Sequence, residues 1–158
     1  MGAIDKCHEF IILMPNGNWM MTMLQPVQQV PAAPDLPLIT DAEAGALARA
    51  IVRLFEHWDL ADAQAAELLG GLGARTWARW KAGNIGRIDR DLATRMSILM
   101  GIHKGTRYMF TDKARSYAWI KKANQNFGGE SALNVMLRGS IFDLQRVRAY
   151  LDAERGAW

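Results

Sequence analysis

All five prolines of this chain lie at or before Pro37, and none follows. Proline removes a backbone donor and clashes with the preceding turn, so it breaks helix interiors. Its absence beyond Pro37 marks a sharp break between a non-helical leader and a remainder free to be helical. Thr40-Asp-Ala-Glu43 then spells a full capping box, with Thr40 at N-cap and Glu43 at N3. Behind it Leu47, Ile51, Leu54, Phe55 and Trp58 repeat at helical spacing. The pattern predicts an amphipathic helix over roughly residues 41–57.

The leader itself is poor in signal. Phe10 to Met14 is too short an apolar run to span a membrane, and it lacks the long apolar region and cleavage site of a signal peptide. Residues 25–37, with four prolines and three glutamines, read as an extended linker. The first 39 residues are therefore expected to be a leader and linker, disordered or carrying a mis-assigned start at Met20, Met21 or Met23. Cys7 is the single cysteine, which excludes a disulfide framework and a multi-cysteine zinc site and fits a reducing cytoplasm.

Residues 60–83 have the pattern of a helix-turn-helix. Its first helix is expected from Asp62 to Leu69, with Ala66 small enough for close packing of the next. The turn Gly70-Gly-Leu-Gly73 leads into Ala74-Arg-Thr-Trp-Ala-Arg-Trp-Lys-Ala82, and Gly83 stops it. Trp77 and Trp80, three apart, should face the core, with Arg75, Thr76 and Arg79 opposite. Arginine grips guanine edges or phosphates, and threonine suits a backbone or a thymine methyl. Lys81 completes the set of candidate DNA contacts.

Charge supports that reading. Between Arg75 and Arg107 eight basic residues stand against Asp89 and Asp91, a local surplus of six in a chain of net charge +3. Such a surplus is what a phosphate-facing surface needs. Further on, Asp89-Arg-Asp91 opens a helix with Leu92, Met96, Leu99 and Met100 as its stripe. Gly101 is expected to interrupt it before Ile102–Phe110. Thr111 is expected to cap a helix over 112–122.

The last stretch reads as a turn feeding capped helices. Gly128-Gly129 permits positive φ, and Ser131 is placed to cap a helix with Leu133, Met136 and Leu137 as its stripe. Gly139 ends it, and Ser140-Ile-Phe-Asp143 starts another carrying Leu144, Val147 and Leu151. Asn124, Phe127, Gly128 and Gly129 form a candidate exposed corner. Arg148, Arg155, Gly156 and Trp158 are candidate anchors beyond it, arginine and tryptophan being enriched at interface hot spots.

Trp119-Ile-Lys-Lys-Ala-Asn124, Phe127-Gly-Gly-Glu-Ser131, Gly139-Ser-Ile-Phe-Asp-Leu144 and Val147-Arg-Ala-Tyr-Leu-Asp152 resemble the toxin-binding domain of the Xre/MbcA/ParS antitoxins. Arg75-Thr-Trp-Ala-Arg-Trp-Lys-Ala-Gly83 is similar to their third-helix motif. Ala123 and Ala132 stand where that family favours proline, and Ala61 where it favours a Ser or Thr cap. The resemblance implies a RES-type toxin partner that degrades NAD, occlusion of that toxin's active site, and dimerisation through the N-terminal helices. It also implies repression of the chain's own operon by binding operator DNA.

The expected fold is all-α. A helical domain with the helix-turn-helix spans residues 40–110, and a small helical toxin-binding domain spans 111–158. No enzyme is expected: there is no phosphate-cradling Gly-x-x-x-x-Gly-Lys-Ser/Thr, nucleophile elbow or zinc-protease histidine pair. Gly70-Gly-Leu-Gly73 follows a helix rather than a strand, so it lacks the context of a dinucleotide loop. Three scattered histidines make a poor metal site, and no cofactor is expected. A stand-alone DNA-binding regulator without a toxin is the alternative.

Overall fold

The computed structural model describes residues 10–13, 19–22 and 40–156. The chain divides into two units, Met1–Pro37 and Leu38–Trp158. In the first, β1 (Phe10–Leu13) pairs antiparallel with β2 (Trp19–Thr22), with Phe10 opposite Thr22 and Leu13 opposite Trp19. The leader is thus not featureless. Between the strands lies Asn16-Gly17, a strong short-range hairpin signal when flanked by apolar runs. The expected linker at 25–37 falls outside the described residues.

The second unit is all-helical. Helix α1 (Asp41–His57) starts at the expected capping box: the Glu43 amide donates to Thr40 Oγ1 at 3.3 Å, and the Thr40 amide donates to Glu43 Oε2 at 2.8 Å. These Thr40 hydrogen bonds, the backbone one foremost, hold the Glu43 carboxyl below its usual range. Ala48, Ile51 and Phe55 face inward, and the Phe55 ring lies between Trp58 and Trp77, at 5.9 and 5.8 Å.

Helices α2 (Asp62–Leu68) and α3 (Ala74–Lys81) follow. Ala61 offers no side-chain cap; instead Gln64 Oε1 accepts from the Ala61 amide at 3.0 Å. Ala65 rather than Ala66 is the buried alanine of α2. Helix α4 runs unbroken from Arg90 to Met109, capped by Asp89, whose Oδ1 accepts from the Leu92 amide at 2.8 Å. The interruption expected at Gly101 does not occur. Gly101 and Gly105 are buried where α7 crosses: a Cβ on Gly101 would meet the Arg148 guanidinium, and one on Gly105 would lie 3.0 Å from the Leu151 Cβ. Close packing there outweighs the roughly 1 kcal/mol by which glycine disfavours a helix.

Helix α5 (Lys113–Trp119) is capped by Asp112, not Thr111, because the carboxylate reaches two amides, those of Ala114 and Arg115. A 3₁₀ turn at Gln125–Phe127, helix α6 (Ala132–Met136) and helix α7 (Ile141–Gly156) complete the unit. Ser131 caps α6 as expected, accepting from the Asn134 amide at 3.1 Å. Leu144, Val147 and Leu151 of α7 are fully buried and share one core with Met96, Leu99 and Ile102 of α4. Helix α4 packs on α1, α5 and α7, so it is the shared spine of the unit.

Candidate functional site

Helix α3 is presented by the burial of its two tryptophans. Trp77 and Trp80 are 4% and 3% exposed, which turns Arg75 and Arg79 to solvent and leaves Thr76 half-buried between the two faces. Asp62, at the start of α2, fixes the rotation of α3. Its Oδ1 accepts from Trp77 Nε1 at 2.9 Å, and its Oδ2 pairs with Lys81 Nζ at 2.8 Å. These two donors, Lys81 first, lower the Asp62 pKa. Lys81 is therefore engaged in orienting α3, a role its sequence position did not suggest. The preceding turn places Gly70 and Gly71 at φ of 80° and 83°, which only glycine adopts cheaply.

The basic surplus is also divided by structure. Arg95 is half-buried over Gly70, its Nε 2.9 Å from the position a Cβ would take, and its Nη1 donates to the Gly139 carbonyl at 3.0 Å. It joins the helix-turn-helix to the turn between α6 and α7. Arg75 and Arg79 take part in no ion pair among the described residues.

The corner at residues 124–129 is held from inside. Asn124 Oδ1 accepts from the Asn126 amide at 3.0 Å, and the Asn124 carbonyl accepts from the Gly129 amide at 3.0 Å. Gly128 and Gly129 sit at φ of 71° and 87° with open space where a Cβ would be. Asn124, Gly128 and Gly129 thus form one hydrogen-bonded turn, with Asn124 shaping it. Phe127 does not join them on the surface. It is 4% exposed, edge-on to Trp119 and Tyr150, with the Arg146 guanidinium 5.9 Å from its ring centre. A phenylalanine followed by two flexible glycines can fold back on its own core, and burial of its apolar ring favours that arrangement. Trp119 and Tyr150 lie parallel at 6.1 Å beneath the corner, and Asn126 Nδ2 donates to the Tyr150 hydroxyl at 3.3 Å. A depression of about 390 Å³ lined by Lys121, Gly129, Glu130 and Asn134 opens beside it.

The α7 anchors separate. Arg148 donates from Nε to Asp152 Oδ2 at 2.7 Å while its guanidinium covers Gly101, so it fastens α7 to α4. Arg155 lies over the Tyr108 ring at 6.0 Å, and Gly156 is the exposed last residue of α7. Trp158 lies outside the described residues. Two large side chains that sequence reasoning passed over are Phe142, 80% exposed, and Tyr108, 72% exposed. Phe142 precedes Leu144 by two residues, about 200° round the helix from the buried stripe, which is the signal that could have found it.

No group of three or more His, Cys, Asp or Glu side chains that could hold a metal occurs among the described residues. No helix there is long and apolar enough to cross a membrane.

Capped helices around a helix-turn-helix, joined to a small helical domain with an exposed hydrogen-bonded corner, define a two-part binding protein. Residues 37–101 match the antitoxin Xre-like helix-turn-helix domain, and residues 106–156 match the antitoxin Xre/MbcA/ParS C-terminal toxin-binding domain. The chain is also 38% identical over 120 residues to the uncharacterized protein y4oB of Sinorhizobium fredii, covering 76% of this chain and 92% of that protein. This chain belongs to the Xre/MbcA/ParS antitoxin family. Its architecture is that of a regulatory protein with a DNA-binding helix-turn-helix and a C-terminal domain that binds a toxin.

Proposed function

We propose that this chain is the cytoplasmic antitoxin of a RES-type, NAD-degrading toxin, that it occludes the toxin's active-site entrance, and that it represses its own operon. The observation that carries this reading is the pairing, in one compact unit, of a solvent-facing Arg75–Arg79 helix with a toxin-binding domain whose corner is braced and open. Residues 40–110 serve operator DNA and residues 111–158 serve the toxin, a division of labour rather than of core. Arg75, Thr76 and Arg79 contact DNA as a homodimer, with Lys81 setting their angle through Asp62. Asn124, Gly128 and Gly129 meet the toxin, and the end of α7, from Arg155 through Gly156 to Trp158, enters its pocket.

The test is whether a reading frame beside this gene encodes a RES-domain protein, and then co-expression with it, reading cellular NAD. Full-length chain should preserve NAD, and a chain ending at Ala153 should not. Equal protection by both would remove the tail from the mechanism. Arg75→Ala with Arg79→Ala should abolish the operator gel shift and leave toxin neutralisation intact. A protein that shifts operator DNA yet never associates with the neighbouring toxin would instead be a stand-alone regulator.

A further inference from the structure

A second basic feature lies beside α3 and outside the helix-turn-helix proper. The start of α1 and the segment leading into α4 enclose an open cleft of about 560 Å³, lined by Asp41, Gly45, Arg49, Ile85, Gly86 and Arg87 among others. Arg49 and Arg87 are both exposed, and neither takes part in an ion pair among the described residues. In contrast, Lys81, Lys121, Arg138, Arg148 and Arg155 each have a carboxylate partner. Asp41 is the opposing charge in the cleft, which leaves a net surplus of one.

The cleft is continuous with the recognition face. The Nη2 atom of Arg79 lies 3.8 Å from the position a Cβ on Gly86 would take, so the guanidinium of α3 rests against the cleft wall. Gly86 leaves room for that contact, and Arg87 follows directly. Arg79 thus adjoins the cleft that Arg87 and Arg49 line, and Arg75 lies one turn from Arg79 on the exposed face of α3. A helix seated in a major groove has a phosphate backbone along each flank, and a guanidinium presents planar paired donors to phosphate oxygens.

Resting on the DNA-binding reading above, we propose that Arg49 and Arg87 clamp one backbone phosphate of the duplex that α3 enters, a sequence-independent anchor separate from the base-reading residues. Asp41 sits at the same site as a restraint on its affinity. The partner is nucleic-acid phosphodiester rather than a protein carboxylate, because the cleft continues the α3 face rather than the corner at 124–129.

The test uses the full chain, a duplex carrying the DNA upstream of the gene, and an unrelated duplex of equal length. Binding is followed by fluorescence anisotropy between 50 and 200 mM salt. Each neutralised phosphate contact contributes about one unit of slope in log affinity against log salt. Arg49→Ala and Arg87→Ala should each weaken both duplexes by the same factor, and the two together should flatten the slope by about one. Asp41→Asn should tighten both. A slope unchanged in the double arginine variant overturns the clamp, and so does weakened toxin capture with unaltered DNA binding. The base-reading assignment fails separately, when Arg75→Ala with Arg79→Ala keeps its preference for the operator. Wild-type protein that binds neither duplex removes both.

Discussion

Phe127→Ala would empty a site bounded by Trp119, Tyr150 and the Arg146 guanidinium. Truncating a buried phenylalanine removes its transfer free energy and leaves a cavity, a cost of about 3–5 kcal/mol. The variant should therefore lose a large part of its stability to denaturant even with no toxin present. Urea unfolding of the free protein reads this directly; a midpoint equal to wild type would return the ring to the surface. His103 sets a second single-residue expectation. Its ring lies 5.7 Å from Tyr117, which stacks on His57 at 4.8 Å, and its Nδ1 is buried without a partner among the described residues. Burial first, then the charges of Arg107 and His57, push the His103 pKa below its usual value. The native state thus prefers the neutral imidazole and binds fewer protons than the unfolded chain. The stability this contributes is complete above about pH 6.5 and declines as pH falls through the lowered native value. Melting temperature measured from pH 8 to 5 should drop on the acid side, and His103→Gln should flatten that drop. An unchanged profile in the variant would assign the acid loss elsewhere.

Helix α4 holds two glycines one turn apart on the face that α7 crosses, and they should respond differently to alanine. At Gly105 the new methyl would meet the Leu151 Cβ at 3.0 Å, an atom fixed to a packed helix. Overpacking of that kind costs about 1–3 kcal/mol, which matches or exceeds the roughly 1 kcal/mol gained in helix propensity. At Gly101 the obstacle is the flexible end of Arg148, which can swing out once it gives up Asp152. Gly105→Ala should lower the denaturation midpoint, and Gly101→Ala should change it little; the reverse order would contradict this account of the crossing. The same helix shows where sequence reasoning reaches its limit. Thr40 with Glu43 and Ser131 were legible as caps because a cap is made by residues three apart. Gly128, Gly129 and Gly139 were legible because positive φ is a local demand, and the structure has all three there. The continuity of α4 through Gly101 was not, since only α7, some fifty residues later, explains a glycine at that point. The burial of Phe127 and the engagement of Lys81 were hidden for the same reason: Tyr150 and Asp62 are distant in sequence. The hairpin differs, since Asn16-Gly17 carried a local signal that was passed over beside the prolines.

The two matched segments, 37–101 and 106–156, meet inside α4, which runs from Arg90 to Met109 without a break. Whatever binds at either end therefore acts on one folded body. Leu99 and Ile102 of that helix share a core with Ile51 of α1 and Leu151 of α7. Two polar ties reinforce the connection: Arg95 reaches the Gly139 carbonyl, and Lys121 Nζ donates to the Asp59 carbonyl at 2.8 Å and its carboxylate at 3.1 Å. Asp59 itself holds a positive φ of 49°, uncommon for a residue with a side chain. A core shared in this way should open as one unit, so the slowest-exchanging amides of α1 and α7 should report the same opening free energy. Ligand binding to the native state alone then stabilises every part of that unit, by about 2.7 kcal/mol when the free ligand is at 100 times its Kd. Saturation with toxin should accordingly slow hydrogen exchange at Ile51 and Leu54 of α1 as strongly as at Val147 and Leu151 of α7. Protection confined to α7 would mean that the two halves open independently, and the toxin would then have no thermodynamic hold on the helices that carry the DNA-binding face.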